Sequence, residues 1–412
     1  MKLIYRLLFV FVFIISLGFV IAYARGYRID LNKKTFSSTG ILAVSSNPKA
    51  AKVLVNGDLK GVTDLNIGFP PGPYNVEIKK DGYTSWSKKI ILKGELVISL
   101  DALLFPLNPS LSPLTNLGIV KAIALDQTDK ILLFTDNNDS VKDGIYLFDA
   151  GKKPLSLFAP LKLLILKKNF RQRFNFASVT TYLSPDFKQV IIEFPLEKTN
   201  SLAYLLSLEE ENTNVFDITT SKNTLLEAWN KEKETNNAKI LEIFPKEVAK
   251  IATDSFHIIS FSPNETKLFY QSKKPIHLPF GINPPLIATN QTSEVRDLKK
   301  DHYYIYDSKE DKNFEIENIG NWFIPKNSEG IYLGKLEIGN FVQWYPDSKH
   351  LVLNNNKKIS VIDYDGNNKQ SIYSGPFDES FFAVTGDGSL ITLLNLNPET
   401  NKFPDLYAVG IK

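Results

Sequence analysis

Thr181 to Phe194 reads TYLSPDFKQVIIEF, two apolar stretches around Ser184-Pro185-Asp186. Proline presets φ for a tight turn, and Asp or Asn tolerates what comes next, so Ser-Pro-Asp between two apolar runs spells a hairpin. The pattern recurs. Ser260-Phe261-Ser262-Pro263-Asn264 precedes Lys267 to Tyr270, and Gln343-Trp344-Tyr345-Pro346-Asp347 precedes His350 to Leu353. A weaker copy, Val384-Thr385-Gly386-Asp387-Gly388, precedes Leu390 to Leu394, and the faintest, Ala124-Leu125-Asp126, precedes Ile131 to Phe134. Third strands ending in aspartate follow three of these copies, at 145–149, 303–307 and 359–363. Five copies are legible over 118–412, where repeats of about 40 residues leave room for six or seven. Pro185 and Pro263 are 78 residues apart, and Pro263 and Pro346 are 83 apart, so insertions or further units lie between.

These repeats resemble the blades of TolB-type β-propellers, relatives of the WD-type repeat. The resemblance implies an all-β region of four-stranded antiparallel sheets. TolB-type propellers also precede the hydrolase domain of prolyl oligopeptidase-like enzymes, but this chain has no G-x-S-x-G elbow and no α/β stretch after the last repeat. A Walker loop and a dinucleotide fingerprint are absent as well. Asp186, Asp347 and Asp387 sit in the repeated turns, which makes them turn residues before catalytic ones. The expectation is therefore a binding protein with no cofactor and no catalytic residues. The alternatives are a glycan-active propeller enzyme or an assembly factor resembling TolB.

Upstream, residues 106–117 carry Pro106, Pro109 and Pro113 and read as a proline-rich linker. Before it, residues 41–105 alternate apolar and polar positions between turn signals. Lys52-Val53-Leu54-Val55 runs into Asn56-Gly57, the strongest short hairpin signal, and Pro70-Pro71-Gly72-Pro73 leads into the alternating Tyr74 to Ile78. Five to seven short strands predict a small β-sandwich. Pro48, Val53 to Gly57, Gly61, Thr63, Pro71 to Tyr74 and Gly82-Tyr83 together resemble a PEGA domain, with Asp64 where that family prefers proline. The resemblance implies a cell-surface or envelope setting beside a membrane anchor, and no catalytic residues.

Leu7 to Ala24 has no charge. Eighteen helical residues span about 27 Å, close to the hydrocarbon core of a bilayer. Residues 1–28 thus read as a transmembrane anchor and 29–40 as a polar stalk. Ala22-Tyr23-Ala24 also has the form of a signal cleavage site. Flanking Lys2, Arg6, Arg25 and Arg28 barely decide orientation, and the bulk of the chain is expected outside the cytoplasm. The fold class expected is all-β: an N-terminal transmembrane helix, a small PEGA-like sandwich, then a degenerate propeller.

Only six of 48 basic residues are Arg and the net charge is +3, so no nucleic-acid partner is expected. Without cysteine there are no disulfides or thiolate sites, and four scattered histidines predict no metal site. The candidate partner-binding loops are three long insertions: Ala159 to Phe176 with Lys162, Arg171 and Arg173; Ser221 to Thr253 with a short helix around Trp229; and Gln271 to Asp301 with His277, Phe280 and Arg296. Antiparallel alternation puts all three at one end of the sheets. A basic, aromatic, proline-rich surface there suits envelope polysaccharide or an extended peptide of a protein partner.

Overall fold

The computed structural model describes residues 2–24, 27–30, 35–125, 128–139, 141–151, 160–196, 201–287, 290–317 and 341–411. Two compact units emerge: residues 1–107 with Leu286–Thr292, and the rest of 108–412.

In the first unit, helix α1 (Lys2–Ala24) contains an 18-residue window, Ile4–Ile21, of mean hydropathy 2.6 that is wholly exposed. A helix apolar on all sides with no protein cover is long and apolar enough to cross a bilayer. The expected stalk is partly structured: Tyr27–Asp30 and Thr35–Ser38 pair as a two-stranded antiparallel sheet, and the first sandwich strand already begins at Gly40.

The sandwich has seven strands in two sheets. One sheet orders Leu65–Phe69, Gly40–Asn47 and Val97–Leu103; the other orders Asp58–Val62, Lys52–Val55, Gly72–Lys79 and Ser85–Leu92. Gly40–Asn47 and Val97–Leu103 run parallel, which needs a long crossover, here supplied by the whole second sheet. Inward residues of both sheets, including Leu42, Val53, Val76, Ile78, Trp86 and Leu100, form one core. The Asn56-Gly57 turn has positive φ at both positions, +52° and +88°, as a two-residue hairpin that follows the strand twist requires. The Gln291 side-chain amide of the second segment exchanges two hydrogen bonds with the Ile91 backbone.

Among the described residues, the second unit holds five four-stranded antiparallel sheets. Blade 1 is Ile119–Ala124, Lys130–Thr135, Gly144–Asp149 and Leu161–Leu166. Blade 2 is Thr180–Leu183, Gln189–Pro195, Ser201–Ser207 and Phe216–Asp217. Blade 3 is Phe256–Phe261, Lys267–Ser272, Tyr303–Asp307 and Lys312–Glu315. Blade 4 is Val342–Trp344, His350–Asn355, Lys358–Asp363 and Gln370–Tyr373. Blade 5 is Phe382–Val384, Leu390–Leu394 and Asp405–Gly410, completed by Ser110–Pro113. This is a degenerate propeller.

Three sequence expectations change here. Ser110–Pro113 is not linker: it pairs antiparallel with Asp405–Gly410, so the first strand of the unit closes the last sheet. Leu161–Leu166, assigned to a connection, is the fourth strand of blade 1. The length that left room for extra blades goes partly to helices α2 (Lys222–Leu241) and α3 (Lys246–Ser255).

The helices sit in the ring itself. Neighbouring blades elsewhere share apolar cores: blades 1 and 2 through Leu132, Phe134, Ile192 and Phe194; blades 3 and 4 through Phe269, Ile305, Leu351 and Leu353; blades 5 and 1 through Leu393, Leu406, Ile131 and Leu133. Blade 2 instead packs Ile191 and Ala203 on Trp229 of α2. Blade 3 packs Leu268 and Tyr270 against a group containing Leu241, Phe244, Val248 and Ala252. The helix pair therefore fills the gap between blades 2 and 3. Such a wedge holds because both flanks bury apolar area at about 25 cal/mol per Å².

Polar groups also link blade 4 to both of its neighbours. The Gln343 amide donates to Phe382 O (3.0 Å) and accepts from Val384 N (2.8 Å), linking blades 4 and 5. Trp344 Nε1 donates to Ser260 Oγ at 3.1 Å, linking blades 4 and 3.

Candidate functional site

Four antiparallel strands return the chain to the end where it began, so every blade has the same two ends. At one end lie the turns between first and second strands. At the other lie the loops between second and third strands and the connections between blades.

The turn end is built from the repeated motif. In blades 2, 3 and 5, Ser184, Ser262 and Thr385 donate to Asp186, Asn264 and Asp387 at 2.6, 2.8 and 2.5 Å. The same hydroxyls accept the backbone N–H groups of Gln189, Lys267 and Ser389. The acidic or amide side chain accepts the N–H two residues on, as in Lys188 to Asp186. The residue between takes positive φ in all four clear copies: Phe187 +55°, Glu265 +58°, Ser348 +60° and Gly388 +82°. That conformation is unfavourable for Phe, Glu and Ser, and the turn hydrogen bonds hold it. The hydrogen bond from Ser184 holds the Asp186 carboxyl below its ordinary pKa.

Blade 4 replaces the hydroxyl with Tyr345, and the chemistry shifts to His350. His350 is buried, with Nδ1 2.6 Å from Asp347 Oδ2 and Nε2 3.2 Å from Asp363 Oδ1. Burial pulls its pKa down, but hydrogen bonds and charge from both aspartates outweigh that and raise it to about 9. The equivalent pair in blade 3 is Lys267 and Asp307, 3.2 Å apart and buried, with the ammonium 4.7 Å from the Tyr364 ring centroid. In both blades these residues face each other in register, at the start of the second strand and the end of the third.

The candidate loops, all expected at the loop end, separate in the structure: the excursion of blade 3 leaves that end but runs back beside the fourth strand and brings Phe280 and Arg296 to Asp311, in the turn between the third and fourth strands. Arg171 and Arg173 are exposed on the connection from blade 1 to blade 2. Lys162 is not on that connection but on the fourth strand of blade 1, where its ammonium donates to Glu209 O. Trp229 is buried under α2 against blade 2 and is a packing residue. His277 is exposed and pairs with Asp297 at 2.7 Å across a two-stranded sheet of Ile276–His277 and Asp297–Leu298. Phe280 is exposed, and the Arg296 guanidinium lies 3.9 Å from its ring centroid.

Arg296 is itself buried. It donates to Glu294 Oε2 (2.9 Å), Pro279 O (2.8 Å) and Asp311 O, and stands 3.4 Å from Asp311 Oδ1. Asp311 Oδ2 also accepts from the N–H groups of Gly281 and Ile282, and its Oδ1 accepts from Tyr306. Burial and this hydrogen bond hold the Tyr306 hydroxyl well above its ordinary pKa. Arg296 and Asp311 thus anchor the excursion of blade 3 and present Phe280 at its tip. Lys162, Trp229 and Arg296 serve as fold residues; Arg171, Arg173, His277 and Phe280 remain accessible.

Phe280 and Ile243 are exposed at the turn end, where Gly281 N donates to Asp311 and Phe244 packs on Phe261 and Tyr306. At the loop end, Val141, Leu196 and Leu396 stand exposed on loops between second and third strands. They are 36% to 71% exposed. A second group unread in the sequence is Glu193, held by Lys222 (2.6 Å), Tyr182 (3.1 Å) and Ser201. It pins the first turn of α2 to blade 2. Burial raises its carboxyl, and Lys222 and the hydroxyls bring it below the ordinary value. Among the described residues, no group of three or more His, Asp or Glu is placed to hold a metal.

Residues 39–107 match the family model of the PEGA domain. No curated protein sequence matches the chain. Among solved structures, it is similar to a protein assigned as TolB from Agrobacterium tumefaciens, at 12% identity and TM-score 0.20, over 66% of this chain and 69% of that one. TolB from Acinetobacter baumannii gives 11% identity and TM-score 0.23, over 82% and 60%. The tricorn protease gives 12% identity and TM-score 0.21, over 81% and 26%. The chain thus spans less than two thirds of the length of the last two.

Proposed function

We propose that this chain is a membrane-anchored binding protein of the cell envelope, lying mainly outside the cytoplasm, whose propeller engages a partner through its loop end. The apolar helix α1, followed by a PEGA-type sandwich, supports the setting. The observation that carries the binding role is a set of exposed apolar side chains on the loop tips of neighbouring blades 5, 1 and 2: Leu396, Val141 and Leu196. Isolated exposed apolar residues are common, but their recurrence at successive loop tips of a rigid scaffold marks a contact surface. Arg171, Arg173 and His277 add polar and basic groups to that end.

A binding role is favoured over catalysis by what the conspicuous carboxylates do. Asp186 and Asp387 are spent on their own turns, Asp347 and Asp363 on His350, and Asp307 on Lys267. The test is cross-linking of full-length protein in its native membrane, followed by mass spectrometry. The parent should yield cross-linked envelope partners, and a variant with all three tip residues changed to serine should lose them. Equal cross-linking by both would refute the loop-end surface.

A further inference from the structure

The propeller closes where Ser110–Pro113 meets Asp405–Gly410, and beside this seam the loop end opens into a cleft of about 270 Å³. Its walls come from the turn around Asn116, the loop of Asn137, Asp139 and Lys142 in blade 1, and Asn401 to Phe403 in blade 5.

The backbone around it is held in place before any ligand arrives. Asp405 Oδ1 accepts from Thr115 Oγ1 (3.0 Å), Leu117 N (2.6 Å) and Gly118 N (3.2 Å). Asn137 Nδ2 donates to the carbonyls of Leu117 and Gly118 at 2.8 and 3.0 Å. In blade 5, Asn395 Nδ2 donates to Asn401 O at 2.8 Å, and Asn401 N to Asn397 O at 2.9 Å. Asn116 and Asn401 keep their side-chain amides unengaged among the described residues, and so does the Lys142 ammonium. The Lys402 ammonium lies 4.8 Å from the Phe403 ring centroid.

The charges in the lining balance: Asp139 and Asp405 against Lys142 and Lys402. Such a site selects neither an anion nor a cation. Amides offer paired donors and acceptors that match adjacent hydroxyls. The negative face of the Phe403 ring suits the weakly positive C–H face of a pyranose. The volume lies just below the range of drug-sized pockets and suits about one sugar ring. We infer that the seam cleft binds a neutral saccharide and is the point at which the loop end holds envelope glycan. This rests on the reading of the loop end as a binding surface and names its ligand class.

The test uses full-length protein in nanodiscs and saturation-transfer NMR. The probes are methyl glycosides of glucose, galactose and N-acetylglucosamine, with glucuronate as the anionic comparison. Oligosaccharides of the same sugars on an array distinguish chain binding from capture of free sugar. At least one neutral glycoside should show transfer in preference to glucuronate. Asn116→Ala and Asn401→Ala should each weaken it by about three- to tenfold, the equivalent of one hydrogen bond. No transfer from any neutral glycoside at millimolar concentration, a preference for glucuronate, or unchanged affinity in both variants would overturn the inference. If the sugar arm fails while the three-tip variant still loses its cross-linked partners, the inference falls and the loop-end reading stands. If the tip variant also behaves as the parent, both fall.

Discussion

The two ends of the propeller blades use similar residues for opposite purposes. At the turn end, Ser, Thr, Asp and Asn bond to their own turn, and charged groups are paired inside the protein: His350 with Asp347 and Asp363, Lys267 with Asp307. At the loop end, large apolar tips and the amides of Asn116 and Asn401 point to solvent. The same residue types thus mark structure where they are satisfied internally and a site where they are not. The distinction holds among the arginines as well: Arg296 is consumed by the excursion it anchors, while Arg171 and Arg173 stay exposed.

The strongest way to break this contrast is at His350. Alanine there would leave the buried Asp363 carboxylate without its cation beside the more exposed Asp347, and losing one partner of a buried charge cluster costs about 3–5 kcal/mol. Chemical denaturation followed by tryptophan fluorescence measures it; a loss under about 1 kcal/mol would show that the cluster is not structural. His350→Lys, copying blade 3, should recover most of the loss.

The second test is pH. The His350 pKa in the folded state is raised from 6.5 to about 9, so folding favours its protonated form. The associated stabilisation is complete below about pH 6.5 and fades as pH rises through 9, in total about 3 kcal/mol. Denaturation midpoints across that window should fall in the parent and stay level in His350→Lys. Parallel curves would remove the histidine from the account.

Arg296→Met comes next, with an expected loss of about 2 kcal/mol from hydrogen bonds to a charged group. Proteolysis near Pro279 should quicken, since the guanidinium no longer holds that carbonyl. Unchanged cleavage would mean that the excursion is held by its apolar contacts, Leu278 and Leu298, alone. The smallest stability effect belongs to the tips: changing Val141, Leu196 and Leu396 to serine should shift stability by about 0.5 kcal/mol or less at each site. A large drop would mean that the tips are core residues and not a contact surface.

The legibility of the sequence divides along the same line. Turn hairpins are local: proline, Asp or Asn, and two flanking apolar runs lie within a dozen residues, so first and second strands could be placed in all five blades. The third strands of blades 1, 3 and 4 were readable too, because they are buried apolar runs ending in aspartate. Fourth strands were not. Phe216–Asp217 is two residues long and exposed, Lys312–Glu315 mixes charge with phenylalanine, and Ser110–Pro113 lies nearly 300 residues before its partner. Helix α2 has few apolar residues and owes its place to contacts on both flanks rather than to its own pattern.

Sequence alone determined what depends on short-range chemistry: the apolar N-terminal helix, the Asn56-Gly57 hairpin, the repeated turns, and the alternation that makes the sandwich and the blades. Tertiary structure alone decided what depends on long-range closure. It placed α2 and α3 between blades 2 and 3, buried Trp229 and Arg296, joined His350 to Asp363, and assembled a cleft from Asn116, Lys142 and Asn401. A side chain's type is written in the sequence. Whether its polar atoms are already satisfied depends on partners brought together by folding, and that decides whether it is structure or site.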